Sequence, residues 1–204
     1  MQHAFMQMGF ELKANAQAFE RREGSCIQTF HLLIFKKPDG VYVEPWWSIK
    51  FGEILDIYHK VSTKEKKYFK DTPVLENSLG RLIEFTDNGI ESGGSKSMQY
   101  LIENDKDIDI LTNVIPARFQ EYVLPYFSAN NSVEKVDKLL NSNPGQLSVH
   151  FWLYPMKAIM GLIAAKLVNN PQYPELAIIY EEKLRNANPV YKTEFERLEL
   201  LLRE

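Results

Sequence analysis

The chain has 204 residues and carries 24 lysines and arginines against 27 aspartates and glutamates, a formal charge of −3, with 45% of its residues apolar. That balance belongs to globular proteins. It excludes collagen-like, disordered and disulfide-scaffold classes, and it supplies no overall positive field for nucleic acid. The one cysteine, Cys26, excludes an internal disulfide and a cysteine-based zinc site and fits a reducing compartment.

Met1 to Gly9 lacks the cationic start and continuous apolar block of a secretory signal. Phe5, Met6 and Met8 ahead of Gly9 predict instead a short amphipathic helix stopped by glycine. From Phe10 to Phe51 the residues predict strands. Phe10-Glu11-Leu12-Lys13 alternates apolar and polar, Ala18-Phe19-Glu20-Arg21 follows a soft turn, and Cys26 to Lys36 is rich in Ile, Thr, Phe and Leu. Lys37-Pro38-Asp39-Gly40 supplies a turn, after which Val41-Tyr42-Val43 begins the next strand. Connections this short cannot carry the crossover that parallel pairing needs, so the strands form an antiparallel meander.

Beyond Gly52 the period changes. Ile54, Leu55, Tyr58 and Val61 lie at helical spacing ahead of the charged run Lys64-Glu65-Lys66-Lys67. Leu82-Ile83-Glu84-Phe85 is expected as a short strand, Asp87-Asn88-Gly89 and Ser92-Gly93-Gly94-Ser95 as turns, and Met98 to Ile102 as a further strand. From Asp107 the chain becomes helical: Ile108, Leu111, Ile115, Phe119, Tyr122 and Tyr126 share one face, with Pro116 near a first turn or at a kink. Asn131 and Glu134 are spaced as a capping box before the stripe Val133, Val136, Leu139 and Leu140. Asn143-Pro144-Gly145 ends that helix, and Leu147 to Tyr154 is expected as a last strand. Three stripes then predict a closing helical hairpin plus cap: Met156 to Leu167, Leu176 to Leu184 and Tyr191 to Leu202. The longest apolar run, Ala158 to Ala165, falls short of the ~20 residues that span a bilayer, so no membrane partner is expected. With the lone cysteine this predicts a cytoplasmic protein.

Several motifs suggest chemistry and then depart from it. In Glu91-Ser92-Gly93-Gly94-Ser95-Lys96-Ser97 the lysine is out of register with a phosphate-cradling loop. Asp105, Asp107 and Asp109 alternate like calcium-loop ligands, but Ile110 stands where glycine must bend the loop, and such acids suit a helix N-terminus. His3, His31, His59 and His150 show no paired metal-ligand spacing, and Cys26 and His31 would face opposite sides of one strand. No metal, cofactor or catalytic residue is therefore assigned. The lysines Lys60, Lys64, Lys66, Lys67 and Lys70, with Tyr68 and Phe69 among them, read as a solvated helix face before they read as an anionic contact.

Glu44-Pro45-Trp46-Trp47 carries the strongest suggestion. Adjacent residues of a strand face opposite sides, so both tryptophans are buried only if both faces of the sheet are covered. On an open face, a rigid amphipathic tryptophan marks a binding surface. Tyr42, Glu44, Trp46, Trp47 and Lys50 are the candidate binding residues, lining a groove for a peptide or small apolar ligand.

Gly9-Phe10-Glu11-Leu12-Lys13, Phe19-Glu20-Arg21, Ile27-Gln28-Thr29-Phe30, Val41-Tyr42-Val43 and Tyr122-Val123-Leu124-Pro125-Tyr126-Phe127 together resemble a bacterial family of uncharacterised proteins, the domain of unknown function 4304. Glu44-Pro45-Trp46-Trp47 and the abbreviated first helix depart from that pattern. The resemblance implies an α+β fold and no established activity. The sequence thus predicts one α+β domain over residues 1–204, strand-rich over 10–50 and mainly helical over 107–204. Its antiparallel twisted sheet gains additions near 98 and 150, and helices pack on it. The expected function is a binding or interaction module with a protein or peptide partner, possible uses including immunity-type neutralisation. The alternative is a small-ligand enzyme or hydrolase drawing on His31, Glu44, Glu84 and His150.

Overall fold

The computed structural model describes residues 1–89 and 98–203 and shows an α+β fold. Its six-stranded antiparallel sheet comprises β1 (Glu11–Lys13), β2 (Ala18–Glu23), β3 (Cys26–Lys37), β4 (Gly40–Phe51), β5 (Leu75–Ser78) and β6 (Tyr100–Ile102). β1 to β5 lie in sequence order, and β6 pairs with the outer part of β4, Val41 to Val43, leaving Trp46 to Ile49 to β5. Two-residue turns close the central hairpins: Glu23 opposes Cys26 and Lys37 opposes Gly40. Such turns fix the register, and the register decides which side chains share a face.

Phe19, Phe30, Trp47 and Asn77 stand opposite one another across four strands and mark the face that meets the helices. α1 (Gln2–Gln7) ends at Gly9, whose φ of +82° suits a residue without Cβ, and it plugs Phe5 against Phe19 and Phe30. α2 (Gly52–Val61) buries Ile54, Leu55, Tyr58 and Val61, the stripe expected from their spacing. α4 (Asp105–Arg118) runs through a π-turn over Phe119–Val123 into α5 (Leu124–Ala129). Pro116 and Pro125 lack the N–H that an uninterrupted α-helix would use, consistent with a ladder that shifts there. α6 (Val133–Asn141), α7 (Tyr154–Leu167), α8 (Tyr173–Leu184) and α9 (Pro189–Arg203) complete the helical layer. One buried cluster runs from Phe5 to Leu202. No helix of the described residues is long and apolar enough to cross a membrane.

Three local expectations are corrected. Leu82 to Phe85 lies inside a helix, α3 (Leu79–Asn88), not a strand: Ser78 accepts from the Arg81 N–H at its start and Gly89, at φ +67°, turns the chain at its end. Leu147 to Tyr154 forms no strand, only isolated bridges from Phe151 to Glu76 and to Ser148, because the turn bends back on itself and α7 already begins at Tyr154. The capping box sits at Asn104 and Asp107, while α6 starts from Ser132 rather than Asn131. The Asp107 carboxylate accepts from the N–H of Glu103 and Asn104, so that acid serves a helix start. The segment Glu91–Ser97, with its expected turn Ser92-Gly93-Gly94-Ser95, lies outside the described residues.

Two polar contacts tie the helices together. Glu194 on α9, 1% exposed, accepts from the Tyr58 hydroxyl at 3.1 Å, the Ser62 hydroxyl at 3.1 Å, and the Thr63 N–H and hydroxyl at 2.6 and 2.8 Å. Where α6 meets α7, Asn141 donates to the Gly161 carbonyl at 2.9 Å and accepts from Tyr180 at 2.5 Å. A Cβ on Gly161 would lie 2.7 Å from Asn141 Oδ1 and 3.0 Å from the Tyr180 hydroxyl. Gly161→Ala is therefore expected to force α6 and α7 apart and cost about 1–3 kcal/mol, as overpacking does. Urea unfolding measures it, and an unchanged midpoint would show that the two polar side chains swing clear.

Candidate functional site

The sheet face turned away from the helices is set by the same alternation. Ala18, His31, Trp46 and Ser78 stand in one row across β2 to β5, with Glu20, Thr29, Ser48 and Glu76 in the next. After α2 the chain returns across this face through a 3₁₀ turn, Lys66–Asp71, pinned where Lys50 Nζ donates to the Lys70 carbonyl at 2.5 Å. Two adjoining depressions result, of about 310 and 520 Å³, sharing His31, Lys50 and Asp71. Together they form a trough.

The smaller depression is walled by Trp46 and Trp152 and floored by Ser48. Trp152 is 50% exposed, and its indole N–H donates to Glu76 Oε1 at 2.5 Å. Ser48 Oγ and His31 Nε2 are 3.2 Å apart. The larger depression carries Thr29, His59 and Phe69, the last two stacked with ring centroids 4.1 Å apart.

Dehydration governs the titration of this surface. Burial lowers the His31 pKa, assisted by the Lys50 ammonium and opposed by Asp71 and Glu20, so the imidazole is neutral at pH 7. Burial also lowers Lys50, opposed by Asp71, Glu20 and Glu76, and raises Glu76, opposed by the Trp152 hydrogen bond. Each group is drawn toward its uncharged form, as expected where water is partly excluded and a second molecule's dipoles would act strongly. Three polar atoms of trough residues are buried with no hydrogen-bond partner among the described residues: Trp46 Nε1, Thr29 Oγ1 and His59 Nε2. Trp47 Nε1 shares that condition, but on the core side.

Of the residues singled out in the sequence, Trp46 and Lys50 line the trough. Tyr42 lies on the same face toward the hairpin tip, stacked on Phe35 and donating to Asp39 at 2.7 Å. Glu44 is buried there and accepts from Gln99 at 3.1 Å. Trp47 is fully buried against Tyr126 and belongs to the core. The four residues of the enzyme alternative are not joined by any hydrogen bond: His31 faces the trough, Glu44 meets Gln99, Glu84 sits on α3, and His150 is buried on the core side against Tyr126 and Phe85. Cys26 is buried, with its thiol pushed up to about 11 by burial. Among the described residues no group of histidine, cysteine or carboxylate side chains is placed to hold a metal ion.

Sequence reasoning missed Thr29, His59, Asp71, Glu76 and Trp152 as trough residues. Strand parity with His31 was the one signal available for Thr29; the others arrive from segments whose placement depends on the tertiary fold. Of the lysine cluster, Lys70 reaches the trough, while Lys67 pairs with Glu65 at 2.8 Å on the surface. Comparison with known proteins finds no matching family model, no matching curated protein and no matching solved structure.

Proposed function

We propose that the chain is a non-catalytic binding module that holds a peptide segment of a protein partner in the trough on the open sheet face. The three unpartnered polar atoms carry this reading. A buried donor or acceptor without a partner costs about 1–3 kcal/mol, and folded proteins leave few of them. Three such atoms on residues of one trough are accounted for if their side chains turn outward on binding and the partner supplies the missing hydrogen bonds. Trp46 and Trp152 beside Lys50, Asp71 and Glu76 also give the mixture of aromatic anchor and polar rim typical of recognition surfaces. Neutralising a harmful protein partner is one use such a module serves.

Linear peptides selected from a displayed library against the wild-type protein test the reading. They are expected to shift the indole N–H resonances of Trp46 and Trp152 and to leave that of Trp47 in place. Trp152→Ala, at a half-exposed position, should keep the fold while weakening these peptides by about tenfold or more, as loss of an interfacial tryptophan does. Peptides that bind the variant equally well, or that shift neither resonance, would contradict it.

A second reading rests on the Ser48–His31 hydrogen bond, which pairs a hydroxyl with a neutral imidazole as a hydrolase would. It predicts that a fluorophosphonate probe labels Ser48; the binding-module reading expects no label.

A further inference from the structure

β3 outruns the strand beside it. β2 accompanies it only as far as Ala18, opposite His31. Gln17 then turns the chain at φ +49°, and the 3₁₀ turn Ala14–Ala16 carries it away, although the Leu32 N–H still donates to the Gln17 carbonyl at 2.9 Å. Beyond Leu32, Leu33 to Lys37 pair with β4 on one side, and among the described residues no strand pairs with them on the other.

The alternation of an antiparallel ladder states which groups this leaves open. The N–H and C=O of one residue point to the same neighbour, and those of the next residue point the opposite way. Leu32 points toward β2, while Lys37, closing the hairpin with Gly40, points toward β4. Leu33, Phe35 and Lys37 are therefore committed to β4, and Ile34 and Lys36 present their donors and acceptors outward. Along this edge Leu33, 44% exposed, and Ile34, 50% exposed, are apolar and accessible, with the exposed Lys36 and Lys37 at its end. An open strand edge is a template for another strand, and proteins ordinarily cover or charge it; here two lysines charge its end and select against a like-charged strand.

We infer that this edge receives the partner's peptide segment as an added strand, antiparallel to β3, with apolar residues facing Leu33 and Phe35 and acidic residues facing Lys36. The inference rests on the binding-module reading and specifies its mode. Charge chooses the occupant. A second copy paired antiparallel about Phe35 would set the Lys36 of each chain diagonally across the seam on one face, where like charges repel. An acidic segment neutralises Lys36 instead, while Lys37 stays with Gln99 and the Tyr42 ring. Leu33 also lines the smaller depression, so an added strand borders the trough and completes the sheet where β2 departs.

The probe is an acetylated and amidated peptide of eight residues in which valine alternates with glutamate. It is expected to bind saturably and to slow hydrogen exchange at the Ile34 and Lys36 amides, leaving Leu33 and Phe35, already bonded to β4, unchanged. Lys36→Pro removes one outward donor and one charge at an edge position where proline is tolerated, and should weaken the peptide by about tenfold or more. Lys36→Ala removes the charge alone and should weaken it less. A peptide with lysine for glutamate should not bind. Binding that moves the Trp46 and Trp152 resonances without slowing exchange at Ile34 and Lys36 would overturn strand addition and spare the trough. Binding that Lys36→Pro leaves unchanged would overturn strand addition too, as would absence of binding at millimolar peptide; the trough is then judged by the displayed peptides. Self-association abolished by Lys36→Pro would assign the edge to a second copy and overturn the peptide.

Discussion

Phe5→Ala is expected to cost about 3–5 kcal/mol, the range for truncating a fully buried phenylalanine, even though the residue sits on a helix of six residues at the edge of the fold. Its ring stacks on Phe19 with centroids 4.0 Å apart and meets Phe119 at 4.6 Å and Phe30 at 5.5 Å, so it joins the sheet to the π-turn that follows α4. Removing it opens a cavity walled by aromatic rings on both layers, which cannot close without moving the sheet or that turn. Denaturant unfolding measures the loss. Phe5→Leu fills most of the space and should cost markedly less. A loss below about 1 kcal/mol for Phe5→Ala would mean that α1 detaches without disturbing the core.

Acidification is expected to remove about 3 kcal/mol of stability between pH 6.5 and pH 4, through His150. Burial, with the nearby Lys157 ammonium second, lowers this histidine from 6.5 to about 4, while its Nδ1 lies 2.8 Å from the Tyr126 hydroxyl. The folded state thus binds a proton less readily than the unfolded state. Stability is full above pH 6.5, declines as pH falls toward 4, and levels off below it as far as this residue is concerned. His150→Gln keeps a polar neighbour for Tyr126 and cannot titrate, so its stability should vary less across that window. His31 and His59, both lowered by burial, leave a residual slope. Urea unfolding midpoints at half-unit intervals of pH give both profiles, and superimposable profiles would remove His150 from the account.

The contrast between what local sequence conveys and what it does not runs through particular residues. Gly9, the turn at Pro38 and Asp39, and the period change after Gly52 are local signals, and they place α1, the β3–β4 hairpin and α2 close to where they lie. Leu82 to Phe85 is too short for its apolar run to separate strand from helix. Ser78 and Gly89, the residues that cap α3, were the better guide. β5 has four residues, and pairing with β4 rather than its own pattern holds it in the sheet. The trough shows the same division. Strand parity separates Trp46 from Trp47, yet Asp71, Glu76 and Trp152 join Trp46 through contacts that no local spacing encodes.

The carboxylate of Glu194 sets a timetable for the nascent chain. The hairpins of the first fifty residues bring near neighbours together and can close early, as low contact order allows. The N–H of Thr63 and the hydroxyls of Tyr58 and Ser62 wait for an acceptor made about 130 residues later. At the usual pace of synthesis that is a delay on the order of ten seconds. Over that interval the end of α2 can pack on β4 and then α7, but its polar groups are sealed only when α9 has left the ribosome and docked.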